Sequence, residues 1–117
     1  MKTLEKQENI FKAISDKSRI RILKMLLQKP LCVCEITEIL KLAASTVSNH
    51  LSLLSDAGLI IGEKEGKWIN YRINSGSKSN SVSSILLYLQ FALEDDETIL
   101  KDRRIISTVD RKVICCK

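Results

Sequence analysis

Along the first half of the chain, apolar residues recur every three or four positions, the spacing that turns one side of a helix toward a core. Leu4, Ile10, Phe11 and Ile14 predict a first helix over roughly 4–15. Ile20, Leu23 and Leu27, joined by Ile22 and Leu26, form a wide stripe on a second, with Ser15 or Asp16 as its N-cap. Pro30 closes the connection that follows. "LCVCEITEILK" predicts a short third helix with Ile36, Ile39 and Leu40 facing inward. "ASTVSNHLSLLSDAGLI" predicts a fourth, in which Val47, Leu51 and Leu54 share one face and Gly58 stops the helix.

After Gly58 the period shortens to two. "LIIGEKEGKWINYRI" carries alternating apolar residues on either side of "EKEGK", which predicts a β-hairpin with Gly66 at the turn. Trp68, Asn70 and Arg72 face one way, and Ile69, Tyr71 and Ile73 the other. The Ser/Gly/Asn-rich stretch 74–84 is a connector running into a helix start. "SVSSILLYLQFALED" then predicts a long last helix, apolar on more than one side from Val82 to Leu93. Such a helix in a small domain needs two partners, one of which a second subunit would supply. The order α-α-α-α-β-β-α is mainly α with a β-hairpin wing, the plan of a winged helix-turn-helix. From Asp95 onward the apolar residues (Ile99, Leu100, Ile105, Ile106, Val109) are intermittent. They leave open a continued helix, another short one, or a segment that orders only with a ligand.

Composition narrows the class. At 117 residues the chain has room for one domain with a real core. No apolar run approaches the roughly 18–20 residues that span a bilayer, and residues 1–20 contain no continuous apolar stretch. The expectation is a cytoplasmic protein in which Cys32, Cys34, Cys115 and Cys116 are thiols, metal ligands or redox sensors rather than structural disulfides. The net charge of +5 arises at the N-terminal end, where residues 1–29 hold eight Lys/Arg against three Asp/Glu. That suits a polyanion, and equally a solvated helix face.

The candidate chemistry lies in two places. On the outer side of the fourth helix stand Ser45, Thr46, Ser48, Asn49, His50 and Ser52, small hydroxyl and amide groups that allow close approach to phosphates and base edges. Asn49 has the amide that pairs in bidentate fashion with adenine. No Lys or Arg falls between residues 42 and 62, so affinity for a polyanion must come from the first two helices, from Lys41, and from Lys64 and Lys67 of the hairpin. The second place is "LCVCEI". Residues i and i+2 on a regular helix point about 200° apart, so Cys32 and Cys34 can grip one ion only if the first turn is distorted. Thiolate ligation selects soft ions. An enzyme is not expected: there is no Cys-x-x-Cys beside a βαβ unit, no phosphate-binding glycine loop, and no second histidine for a catalytic pair.

Four stretches in order carry a family resemblance: "FKAISDKSRIRIL" with Arg19, "LCVCEI", "STVSNHLSLLSDAGLI" and "EKEGKWINYRI". Together they cover about residues 4–74, and the chain resembles the ArsR/SmtB family of dimeric, metal-responsive winged helix-turn-helix repressors, in its arsenic-responsive branch. The resemblance implies a homodimer formed through the first and last helices, bound to double-stranded operator DNA and not to a membrane. The residues expected on DNA are Ser45, Thr46, Ser48, Asn49, His50, Ser52, Lys64 and Lys67. It also implies release of the operator by arsenite or antimonite held by three sulfurs, for which Cys32 and Cys34 with one of the tail cysteines Cys115 and Cys116 are the candidates. Alternatives on the same fold are cadmium, lead or zinc bound by thiolates, or thiol oxidation. Residues 1–94 would form the DNA-binding and dimerisation domain and 95–117 an extension carrying the Cys-Cys pair. The chain departs from the family at Ala43 and Ala44, where Ser-Gln is frequent, and at Thr37, where a third cysteine often stands. With one histidine, it also cannot build the His/Asp site that other branches place on the last helix.

Overall fold

A computed structural model describes residues 3–108. The elements are α1 (Thr3–Ile14), α2 (Lys17–Gln28), β1 (Leu31–Cys32), α3 (Val33–Leu40), α4 (Ala44–Asp56), β2 (Ile60–Glu65), β3 (Trp68–Ile73), α5 (Asn80–Phe91) and α6 (Glu97–Ile106). This is the winged helix-turn-helix plan, with two additions to the expected order: the strand β1 and the helix α6.

Local chemistry sets most of the boundaries. Asp16 caps α2, its carboxylate accepting the backbone N–H of Arg19. After α4, Gly58 takes φ +81, a conformation that suits glycine. The N–H of Leu59 bonds the carbonyl of Leu54 and that of Gly58 bonds Ser55, so two otherwise unsatisfied carbonyls at the helix end are paired. The wing closes through Gly66 at φ +62, with Glu65 opposite Trp68.

The expected third helix starts two residues late. Leu31 and Cys32 are extended and pair antiparallel with β3, Leu31 opposite Tyr71 and Cys32 opposite Asn70. The sheet order is β1-β3-β2, so the inner wing strand is held on both sides. The last long helix is also shorter than the pattern implied. It ends at Phe91 rather than running on to Asp95, and Leu93 turns the chain at φ +61. The ammonium of Lys24, buried at 3% exposure, sits at this stop. It donates to the carbonyl of Leu89 at 2.7 Å and to Glu94 Oε2 at 2.9 Å, drawing the chain away from the helix axis.

Residues 95–108 fold onto the body. Asp96 caps α6 by accepting the N–H groups of Thr98 and Ile99. The helix packs against α2, buries Ile99 and Ile106, and is strapped by a two-pronged ion pair from Arg21 to the buried Asp102, both bonds 2.9 Å. The core itself is aliphatic: Ile22, Leu23, Leu31, Ile36, Val47, Leu51, Leu54 and Leu59 are fully buried where α2, α3 and α4 meet the base of the sheet.

Candidate nucleic-acid interface and metal centre

Helix α4 buries Val47, Leu51 and Leu54 and leaves Ser45, Thr46, Ser48, Asn49 and Ser52 exposed on its other side. Its N-cap is Ala43, which has no side chain to cover the N–H groups of the first turn. Ser45 lies in the first turn of the helix. His50 stands apart from the other polar residues. It is half-buried on the flank of α4, and its Nδ1 lies 3.0 Å from Nη1 of Arg19.

The wing projects from the body next to this helix. Its carboxylates are largely engaged within the hairpin: Glu63 accepts from Arg72 at 2.7 Å, and Glu65 accepts from the amide of Asn70. Lys64 and Lys67 are exposed at the tip, the ammonium of Lys67 lying 5.5 Å above the Trp68 ring. All eight residues expected on DNA therefore belong to two neighbouring elements, α4 and the wing, which pack at their bases through Leu54, Leu59 and Ile60.

The cysteine pair is built differently from a helical i, i+2 pair. Cys32 is the N-cap of α3 and is 1% exposed. Its sulfur accepts the N–H of Glu35, while the buried Glu35 carboxylate accepts the N–H of Cys32 at 2.9 Å. This is a capping box with sulfur in the place of a hydroxyl. Cys34 lies in the first turn and is half-exposed. Cys32 has extended backbone (φ −89, ψ 167), so the pair straddles the start of the helix rather than lying within a regular turn. Two thiols two positions apart in the chain, one of them at a helix start, match the donor chemistry that soft ions select. Among the described residues, no three His, Cys, Asp or Glu side chains form a group able to hold a metal ion. Cys115 and Cys116 lie outside the described residues.

Two functional neighbours were missed in the sequence. Glu35 carried a readable signal, since Cys-x-x-Glu has the spacing of a capping box. The partner of Arg19 did not, because His50 lies 31 positions further on.

A helix-turn-helix with a solvent-facing polar second helix and a basic wing defines a DNA-binding regulator. Residues 16–61 match the family model described as bacterial regulatory protein, arsR family. The arsenical resistance operon repressor of Bacillus subtilis is 39% identical over 84 residues, covering 71% of this chain and 80% of that protein. A cadmium resistance transcriptional regulatory protein CadC homolog of Staphylococcus aureus is 35% identical over 80 residues, 68% of this chain and 66% of that protein. Among solved structures, a homodimeric winged helix-turn-helix DNA-binding domain from Mycobacterium bovis, described as a possible ArsR-family regulator, superposes with a TM-score of 0.65 at 25% identity. It covers 79% of this chain and 82% of that one. The chain belongs to the ArsR family of DNA-binding transcription regulators. No helix among the described residues is long and apolar enough to cross a membrane.

Proposed function

We propose that the protein is a dimeric transcriptional repressor that leaves its operator when trivalent arsenic or antimony is bound by Cys32 and Cys34 together with Cys115 or Cys116. The observation that carries this reading is the position of Cys32. One residue is the cap of α3, the β1 residue opposite Asn70 of the wing, and the first sulfur of the thiol pair. α3 packs directly on α4, so the residue stands where the support of the recognition helix and the support of the wing meet.

Engaging the sulfur of Cys32 takes it from the Glu35 N–H and draws the residue out of its buried place. Losing an oxygen N-cap costs about 1 kcal/mol, and a sulfur cap, a weaker acceptor, less. Each β1–β3 hydrogen bond given up adds about 1 kcal/mol. A hundredfold fall in operator affinity corresponds to about 2.7 kcal/mol of coupling, of the same order as the contacts at this joint. The third sulfur would come from the tail, which follows α6, a helix in contact with α3. Six residues lie between Thr108 and Cys115, and the seven steps span at most about 25 Å.

On the DNA side, Asn49 reads an adenine, Ser45, Thr46, Ser48, His50 and Ser52 line the groove, and Lys64 and Lys67 hold phosphates beside it. The dimer uses α1 and α5. Leu87, Tyr88 and Phe91 of α5 are 60–72% exposed, and with Ile14, Ile85 and Leu93 they border one open apolar groove. The family membership, the names of the relatives and the homodimeric neighbour support this assignment.

The test is fluorescence anisotropy of the reduced, full-length protein on its own promoter DNA, titrated separately with arsenite and cadmium. Release by arsenite, abolished in Cys32→Ser and in Cys34→Ser and weakened when Cys115 and Cys116 are both Ser, is the expected result. Release by cadmium alone would replace arsenic with a soft divalent ion on four thiolates, the reading that the cadmium-resistance relative favours. Release by neither would remove the cysteines from metal sensing.

A further inference from the structure

The side chain of Arg19 is used at every nitrogen. Nε donates to the carbonyl of Ala13 at 2.7 Å and Nη2 to that of Lys12 at 3.2 Å, both in the last turn of α1. Nη1 reaches His50 Nδ1 on α4 at 3.0 Å. The backbone N–H of the same residue is held by Asp16 in the α2 cap. A planar guanidinium fixed at three points leaves its third partner little freedom of position.

A guanidinium only donates. Nδ1 of His50 must therefore offer its lone pair, and the ring proton sits on Nε2. That N–H points away from Arg19. The exposed crest of α4 belongs to Ser48, Asn49 and Ser52, whereas His50 occupies the half-buried flank beside the α1–α2 junction. A side chain on the flank of a helix lying in the major groove meets the groove wall, which is sugar and phosphate, rather than base edges.

We infer that Arg19 is a positioning residue for DNA binding, fixing the His50 imidazole so that its Nε2–H donates to an operator phosphate. The inference rests on α4 being the DNA-contacting helix. The contact it adds holds the protein in register and carries no sequence information of its own. It also ties the C-terminal turn of α1 to α4 through one side chain, so the dimer helix and the recognition helix share a fixed point.

His50 is the only histidine, so its ring nitrogens give an unambiguous long-range ¹H–¹⁵N spectrum. In the free wild-type protein at neutral pH, the expected pattern is the Nε2–H tautomer. A spectrum showing Nδ1–H would overturn the inference without any variant having to fold. Arg19→Lys, confirmed as folded by its thermal melt, is expected to lose the single tautomer. Its affinity should fall about tenfold for operator and non-operator DNA alike. His50→Ala should show the same loss, the double variant no more than either single, and His50→Gln, whose amide N–H sits near the place of Nε2–H, should recover most of it. Additive losses, or a His50→Ala protein that binds as tightly as wild type, would refute the role of Arg19 while leaving α4 as the DNA helix. A wild-type protein that binds no DNA would refute both.

Discussion

Helices α4 and α5 bury their apolar residues at the same spacing. α4 turns Val47, Leu51 and Leu54 inward, and α5 turns Val82, Leu86 and Leu89 inward. Both are therefore anchored alike, by a stripe at i, i+4 and i+7. Their exposed sides differ in the large residues that dominate them. α4 shows Ser45, Thr46, Ser48, Asn49 and Ser52, whereas α5 shows Leu87, Tyr88 and Phe91. Small polar groups keep their hydrogen bonds in water and can exchange them for those of a nucleic acid at little cost. Large apolar groups left in water gain about 25 cal/mol for each Å² that a partner covers. The inner stripe decides where a helix sits in the domain, and the outer residues decide what comes to it.

The largest effect should come from making the outer side of α5 resemble that of α4. Replacing Tyr88 and Phe91 together by Glu is expected to turn the proposed dimer into a folded monomer in sedimentation velocity. Operator affinity should fall at least a hundredfold, because the two half-sites are then bound separately. A double variant that stays dimeric would show that α5 is not the interface.

The next effect belongs to α4. Asn49→Ala should cost about 1–3 kcal/mol on the operator and little on random DNA, since one bidentate base contact is worth that much. Equal losses on both DNAs would move Asn49 from base reading to backbone contact. Lys64→Ala with Lys67→Ala should weaken both DNAs and reduce the slope of log K against log salt by about 2, roughly 0.9 for each phosphate contact. An unchanged slope would take the wing off the DNA.

The smallest effect concerns the ends of the two arrangements. Asp16 is held below its ordinary 3.8 chiefly by the N–H of Arg19, the residue that reaches α4. Glu94 is held below its ordinary 4.5 by Arg103 and then by Lys24, at the exit of α5. A carboxyl whose value is lowered on folding contributes its full stabilisation above its unfolded value and loses it as the pH falls through the folded one. Urea midpoints should therefore be level above about pH 5 and decline below about pH 4. Asp16→Asn and Glu94→Gln should each flatten that decline. A decline of the same steepness in both would assign it to other carboxyls.

The contrast between α4 and α5 was legible in the sequence because it is local: the stripe and the outer residues lie within one period of each other. What was not legible came from distant partners. β1 was read as helix because Leu31 and Cys32 pair with Tyr71 and Asn70, some forty residues away. At the early end of α5 the contacts come from Lys24, 65 positions before Leu89. For α6 the signals were present, an Asp96 cap and Ile99 seven positions before Ile106, yet they were diluted by the charges between them. The thiol pair was visible as a pair, but the double use of Cys32 was not, since sulfur at an N-cap is not one of the usual residues there.

The most direct test of the proposed switch is hydrogen exchange on the reduced full-length protein with and without stoichiometric arsenite. If Cys32 couples the α3 cap to the wing, residues 31–37 and 68–72 should lose protection together while α2 keeps its own. Operator release with both segments as protected as before would contradict that coupling and place the switch elsewhere in the molecule.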